Sequence, residues 1–415
     1  MSTPSSAPSR APSYATVLRT RHASRTFGAA LLGRLSYGMV SLSLLLAVKD
    51  ATGSYAVAGG VMALFGAASV FLSPARAALI DRYGPRRALP PMAGLYAALL
   101  TALAGATWRP GVPALVLGAL AVTAGACTPP LGPVMRTLWS SLVPDRELLQ
   151  RAYSLDGVAE ELLFVSGPLL VGLVVKAAEP AAGVLASAVL ALVGTAAMVT
   201  SPAVPRKHLA AAPAAEGRPA APRLRLHDIA ALRHAVLVTA AVGLCLGGLD
   251  LLVVAFTEQR HQAAAVAWVL AALSAGSAVG GLAYGAVRWR SSSRVRLPVA
   301  AGALGAALLL AGLSPHLYVL IAVVAVAGMF VAPALTTAYL IADESVDVSR
   351  RTQAGAWVNT AVNAGSSGGT AVVGLLVGRL PLPVCFALAA APALLCAAAV
   401  LRRPAELRPR VPDAA

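Results

Sequence analysis

The feature that most constrains this chain is a series of twelve apolar runs, each roughly 20 residues long, separated by short segments that carry nearly all of the charge. A helix needs a run of that length to cross the hydrocarbon core of a bilayer. The runs cover residues 27–48, 56–78, 88–107, 112–136, 152–176, 181–201, 234–256, 263–287, 297–313, 317–341, 353–377 and 383–401. Of 415 residues, 58% are hydrophobic and 12% charged, about half the charge of an ordinary soluble domain. A β-barrel would instead show alternating segments of about ten residues, and none are visible. These observations predict an all-α polytopic membrane protein with twelve transmembrane helices.

The net charge of +16 would suit a nucleic-acid partner, but its placement argues otherwise. All but six of the 33 lysines and arginines fall in the tails and in every second connecting segment. Lys49, Arg109, Lys176, Arg260 and Arg379 lie in the alternate segments, and Arg34 lies inside a run. The positive-inside rule then puts the arginine-rich segments and both termini in the cytoplasm. Three lysines against thirty arginines reflect coding bias. The polar start, Met1 to Arg25, is followed by no small-residue cleavage site, so the first run is taken as a retained span. Residues 202–233 form the one long polar interruption, rich in Pro, Ala and Arg, and read as a linker. The expected layout is a tail (1–26), a six-helix bundle (27–201), the linker (202–233), a second six-helix bundle (234–401) and a tail (402–415).

The two halves repeat weakly. At one constant offset Arg82 meets Arg290, Arg86 meets Arg294, Leu89 meets Leu297 and Pro90 meets Pro298. At a second offset Gly125 meets Gly328, Pro130 meets Pro333, Asp156 meets Asn359 and Glu160 meets Asn363.

Between the second and third runs lies a charged turn containing Leu79, Asp81, Arg82, Gly84, Arg86 and Leu89. It resembles the G-x-L-x-D-R-x-G-R-K-x-x-L loop of the major facilitator superfamily, with Ala77 in place of the first Gly and Pro85 in place of Arg. The resemblance extends over residues 27–401 and implies two six-helix bundles related by parallel repetition, which expose a central site to each side in turn. It also implies that Asp81, Arg82, Gly84 and Arg86 form a conformational latch, with Asp81 near the start of span 11. In span 5, Gly167-Pro168 followed by Gly172 is similar to the G-P-x-x-G signature of the superfamily's drug–proton antiporters, with the last glycine one residue late. The run from Pro129 to Trp139 and onward to Pro168 looks like actinobacterial members of the superfamily.

Charges inside the runs are expensive and normally face a cavity or a partner. Arg34 lies about seven residues, or ~10 Å, into span 1. Glu160 lies at a similar level in span 5, with Asp156 on the same helix face. Arg136 stands at the inner end of span 4 as a further partner. Three roles fit this group: an ion pair holding the first bundle together, a substrate or proton site, or snorkelling of Asp156 and Arg136 to the inner surface. Glu160 is the first candidate for the coupling proton on depth, with Arg34 as its counterweight; Asp250, the one acidic residue well inside the second half, in span 7, is the second, and can instead snorkel outward. Asn359 and Asn363 are candidates for the substrate site or for bridging helices.

Enzymatic chemistry is not expected. Gly365-Ser366-Ser367-Gly368-Gly369 matches G-x-S-x-G but lies inside an apolar span, where Gly365 and Gly369 read as helix packing. Gly276 with Gly280, and Gly281 with Gly285, repeat that spacing. No Walker A or H-E-x-x-H pattern occurs, and Cys127, Cys245, Cys385 and Cys396 have no metal-ligand spacing. The reading at this level is a monomeric secondary transporter of the cell membrane with no cofactor. It would draw on a proton gradient and export small organic compounds by alternating access. Uptake or facilitated diffusion of a metabolite, or a sensor of the same fold, are the alternatives.

Overall fold

The computed structural model describes residues 13–108, 111–143, 145–205 and 226–401. Residues 206–225 of the linker, residues 1–12 of the first tail, the second tail and Arg109 lie outside these residues. Every predicted run is helical. The helices are α1 (Tyr14–Arg19), α2 (Ala23–Thr52), α3 (Tyr55–Phe71), α4 (Ser73–Tyr83), α5 (Pro85–Thr107), α6 (Ala114–Cys127), α7 (Leu131–Leu142), α8 (Arg146–Ala177) and α9 (Pro180–Thr200). They continue with α10 (Ala230–Gln259), α11 (Val266–Ala286), α12 (Ser293–Ala311), α13 (Leu317–Gly328), α14 (Val331–Glu344), α15 (Arg351–Leu376) and α16 (Leu382–Leu401). Among the described residues there is no β-strand. The fold is all-α and polytopic.

Three predicted spans are broken helices. At Leu72 the α3–α4 pair bends by 41°, where Pro74 enters the first turn of α4. Pro129 and Pro130 separate α6 from α7, because neither can donate the N–H that a continuous helix requires. With α6–α7 and α13–α14 each taken as one crossing, ten described spans are long and apolar enough to cross a membrane, and eleven with α3–α4. The remaining one, α15, falls short in hydropathy because Gln353, Asn359, Asn363, Ser366 and Ser367 interrupt its apolar residues. This is consistent with twelve crossings.

Local signals set the helix ends. The Asp145 carboxylate accepts the Leu148 N–H at 2.8 Å and starts α8 six residues earlier than the apolar run suggests. Gly84 (φ 83°, ψ 152°) makes the reversal between α4 and α5, a conformation open to glycine alone.

The described chain divides into two compact units. The first comprises Met1–Asp228, Gly281–Arg288 and Ala342–Thr360. Its core holds Leu44, Tyr96, Leu100, Leu103 and Leu117, all fully buried. The second comprises Ile229–Gly280, Trp289–Ile341 and Ala361–Ala415. Its buried residues include Leu249, Leu304, Leu308 and Phe386.

The weak repeat has a packing counterpart inside each unit. In the first, Gly125 of α6 lies against the Phe65 carbonyl of α3. In the second, Gly328 of α13 lies against the Leu273 carbonyl of α11. Glycine is needed at both positions because a side chain would occupy the neighbouring backbone. The G-x-S-x-G segment packs similarly: Gly365 and Gly369 meet the carbonyls of Ala240 and Leu244 in α10, as the helix-packing reading requires.

Four of the arginines counted with the connecting segments are buried in the bundle, away from any loop surface. Arg76, Arg136, Arg151 and Arg296 are buried within helices. Arg76 donates to the carbonyls of Ser69 (2.6 Å), Gly125 (3.0 Å) and Ala126 (3.1 Å), satisfying helix-end acceptors left over at the breaks after α3 and α6.

Candidate functional site

Four charged side chains meet inside the first unit, on α2, α7 and α8. Arg34 Nη1 lies 2.7 Å from Asp156 Oδ1, and its Nη2 lies 2.9 Å from Glu160 Oε2. Arg136 Nε lies 3.0 Å from Asp156 Oδ2, and its Nη2 pairs with Glu160 Oε2. Each carboxylate thus faces both guanidiniums, and the group is formally neutral. Asp156 has no exposed side-chain surface, whereas Glu160 keeps 27%. Glu160 is therefore the point at which the cluster can be reached. Neither Asp156 nor Arg136 snorkels, because pairing inside the bundle is available to both.

The elements explain why these residues meet. Asp156 and Glu160 are one turn apart on α8 and share a face. The helices α2 and α8 touch backbone to backbone where Gly167 meets Gly38, so no side chain separates them one turn past Arg34 and two turns past Glu160. Gly132, one turn before Arg136 on α7, faces the cluster: a Cβ there would lie 3.5 Å from Arg136 Nη1 and 3.9 Å from the Arg34 guanidinium, ordinary contacts. The Tyr153 hydroxyl donates to the Arg136 carbonyl at 3.2 Å, and the Tyr37 hydroxyl donates to Pro129 O at the α6–α7 break. Gly38, Tyr37 and Tyr153 carry no sequence signal of a site, since each acts through a neighbour distant in sequence.

Of the span-5 motif, only Gly167 is packed against another helix. Pro168 lies within α8, and no neighbour comes within 4 Å of a Cβ placed on Gly172.

A second polar assembly surrounds the charged turn. Asp81 Oδ2 accepts the Gln353 N–H at 2.8 Å, in the first turn of α15. A carboxylate there meets unsatisfied N–H groups and the positive end of the helix dipole. Arg86 donates to Ser201 O (2.9 Å) and Val204 O (3.1 Å), holding the end of α9. Gly84 is buried at the turn, while Arg82 is exposed, with its guanidinium carbon 5.2 Å from the Tyr83 ring centroid. Arg351, unremarked in the sequence, pairs with Asp343 at 3.4 Å and donates to Ser140 Oγ at 3.1 Å.

The last turns of α11 are capped by side chains from the start of the chain and of α8. Gln150 Nε2 donates to Tyr284 O (2.8 Å), Arg151 Nη2 to Ala286 O (3.3 Å) and the Tyr14 hydroxyl to Leu282 O (2.6 Å). Burial pushes the Tyr14 phenol up to about 12, so it remains a donor at neutral pH. Glu147 Oε2 pairs with Arg288 Nε at 2.8 Å.

The remaining candidates stand apart from these groups. Asp250 on α10 is exposed, and among the described residues it has neither an ion pair nor a hydrogen bond. Asn359 is half-buried and Asn363 exposed on α15, both with interaction partners. Among the described residues no group of three His, Cys, Asp or Glu side chains could hold a metal ion.

A model of the Major Facilitator Superfamily matches residues 26–263 and 235–415. The chain belongs to the major facilitator superfamily. It is a multi-span membrane transporter of that family, not an enzyme, and a small-molecule substrate follows from the membership. Solved structures share the superfamily fold. A human organic anion transporter is 18% identical with a TM-score of 0.70, covering 94% of this chain and 100% of its own. A bacterial homologue of the iron transporter ferroportin, in an outward-facing state, is 14% identical with a TM-score of 0.70, covering 92% and 98%. The E. coli fucose:proton symporter is 16% identical with a TM-score of 0.64, covering 91% and 98%. No curated protein matches the sequence.

Proposed function

We propose that this protein is a proton-coupled exporter of small organic compounds and that Asp250 carries the proton. On this reading it works as a monomer in the cell membrane. Its arginine-rich segments and both termini are cytoplasmic, and residues 27–201 and 234–401 are the bundles that alternate. The observation that carries the assignment is the contrast between Asp250 and Glu160. A proton carrier must lose its charge during each cycle without stranding a partner. Protonating Glu160 would leave two guanidiniums facing one carboxylate, whereas among the described residues Asp250 has no ion pair to break. Glu160, at the exposed edge of the cluster, is then where a polar group of the substrate enters.

Export is supported by the likeness of Gly167, Pro168 and Gly172 to the signature of the superfamily's drug–proton antiporters, and an actinobacterial type by the likeness of the run from Pro129 to Pro168 to such members. One solved relative is titled an organic anion transporter and another a fucose:proton symporter. The second of these favours proton-coupled uptake as the alternative. Asp81, Arg82, Gly84 and Arg86 act as the latch, with the Asp81 contact to α15 released once per cycle. Asn359 and Asn363 line the substrate path from α15.

Proteoliposomes carrying an imposed pH gradient and a panel of organic substrates test this reading. Accumulation against a gradient that dissipates protons, in the export direction, is expected for the wild type. Asp250→Asn is expected to abolish gradient-driven transport and to retain downhill substrate exchange. Full gradient-driven transport in Asp250→Asn would remove this residue from the mechanism, and transport insensitive to pH would remove proton coupling altogether.

A further inference from the structure

A cavity of 370 Å³ lies within the first unit, between the α4–α5 turn, α7 and the segment leading into α15. Arg86, Arg87 and Arg351 line it, against Asp81 as the one lining carboxylate. The formal charge of its wall is therefore positive. Arg86, Arg351 and Asp81 are already engaged with protein groups. Three donors are not: the exposed Arg87 guanidinium and the Ser349 and Tyr83 hydroxyls have no hydrogen bond or ion pair among the described residues. The rest of the wall is largely apolar, contributed by residues such as Val134 and Leu138.

A free guanidinium and a free hydroxyl lining one net-positive cavity match an oxyanion with several acceptor oxygens, above all a phosphate group. A tight turn between two membrane helices lies at the level of lipid headgroups, and basic residues there attract anionic lipid. Apolar wall beside the cations suits the glycerol and upper acyl portion of such a lipid.

We propose that this cavity binds a phosphate-bearing anion, with Arg87 and Ser349 as its principal ligands. The phosphate is either the headgroup of an anionic lipid or a free phosphate. Because α5, α7 and the start of α15 all contribute wall, an occupant bridges the turn carrying Asp81 to the helix that Asp81 caps. It thereby stabilises that contact. The proposal does not depend on the transported substrate or on proton coupling.

The test uses the full-length protein purified in a neutral detergent. Binding and thermal stability are measured with short-chain phosphatidylglycerol, short-chain phosphatidylcholine and inorganic phosphate as separate probes. Phosphatidylglycerol is expected to bind and raise the melting temperature, with phosphatidylcholine much weaker. Arg87→Gln should weaken binding about tenfold, the loss of one charge-assisted contact. Ser349→Ala should weaken it less. Arg294→Gln removes the same charge from an exposed position outside the cavity and should leave binding unchanged. Binding of inorganic phosphate as strong as that of phosphatidylglycerol assigns the site to free phosphate, and weaker binding assigns it to the lipid. The proposal is overturned if neither probe binds or if phosphatidylcholine equals phosphatidylglycerol. It also falls if Arg87→Gln binds as the wild type does, or if Arg294→Gln loses as much.

Discussion

At the scale of single residues, the charges inside the first unit are valuable because they come as a complete set. Two arginines and two carboxylates cancel, and each carboxylate lies close to both cations. Removing one member leaves an uncompensated charge in a buried place, whereas removing a pair of opposite sign does not. Asp156→Asn should therefore destabilise the purified protein by about 3–5 kcal/mol. Arg34→Gln added to Asp156→Asn should recover much of that loss. Thermal melts of the two variants in one detergent check this, and a double variant no more stable than Asp156→Asn would mean the four charges do not act as a unit. Their proximity was partly legible in the sequence, because Asp156 and Glu160 at a spacing of four must share a helix face. Arg136 was legible as a further partner from its place at the inner end of span 4, but that each carboxylate faces both guanidiniums, and that Glu160 keeps 27% exposure, was not: both depend on how closely α2 and α7 approach α8.

At the scale of helices, glycines decide which elements touch. Gly167 and Gly172 belong to the same antiporter-like motif, yet only Gly167 lies against another backbone. Gly167→Ala should cost about 1–3 kcal/mol through the clash with Gly38. Gly172→Ala should be neutral or slightly stabilising, by up to about 1 kcal/mol, since alanine favours a helix interior where space is open. A stable Gly172→Ala protein that fails to transport would instead assign this glycine a part in the transport cycle. The contact of Asp81 with the first turn of α15 also belongs here, because it joins one helix to the dipole of another. Asp81→Asn keeps a hydrogen-bonding side chain but loses its charge, weakening the contact by about 1 kcal/mol, or about fivefold in the population that keeps it. Transport by Asp81→Asn should fall at matched expression, with the melting temperature little changed; wild-type rates would count against the latch.

At the scale of the whole molecule, orientation is the first thing to measure. Tyr83 and Trp108 are exposed near opposite ends of α5. With the arginine-rich side in the cytoplasm, a cysteine at Trp108 should react with an impermeant thiol reagent in intact cells, and one at Tyr83 should react only after permeabilisation. The reverse pattern would invert the protein. The number and helical nature of the apolar runs could be read from the residues alone. A long apolar stretch in lipid must satisfy its own backbone hydrogen bonds, and in this chain only helices can do so. The ends of several helices were set locally too, by Asp145 and Gly84. Tertiary structure alone decided that Arg76 is buried as a cap for two broken helices, that Gln150, Arg151 and Tyr14 close the end of α11, and that among the described residues Asp250 stands without a partner while Glu160 has two. Hydrophobicity and helix periodicity act between near neighbours in the chain. The partner of a charge is chosen by the close approach of helices far apart in sequence, and small residues scattered along them permit that approach without announcing it.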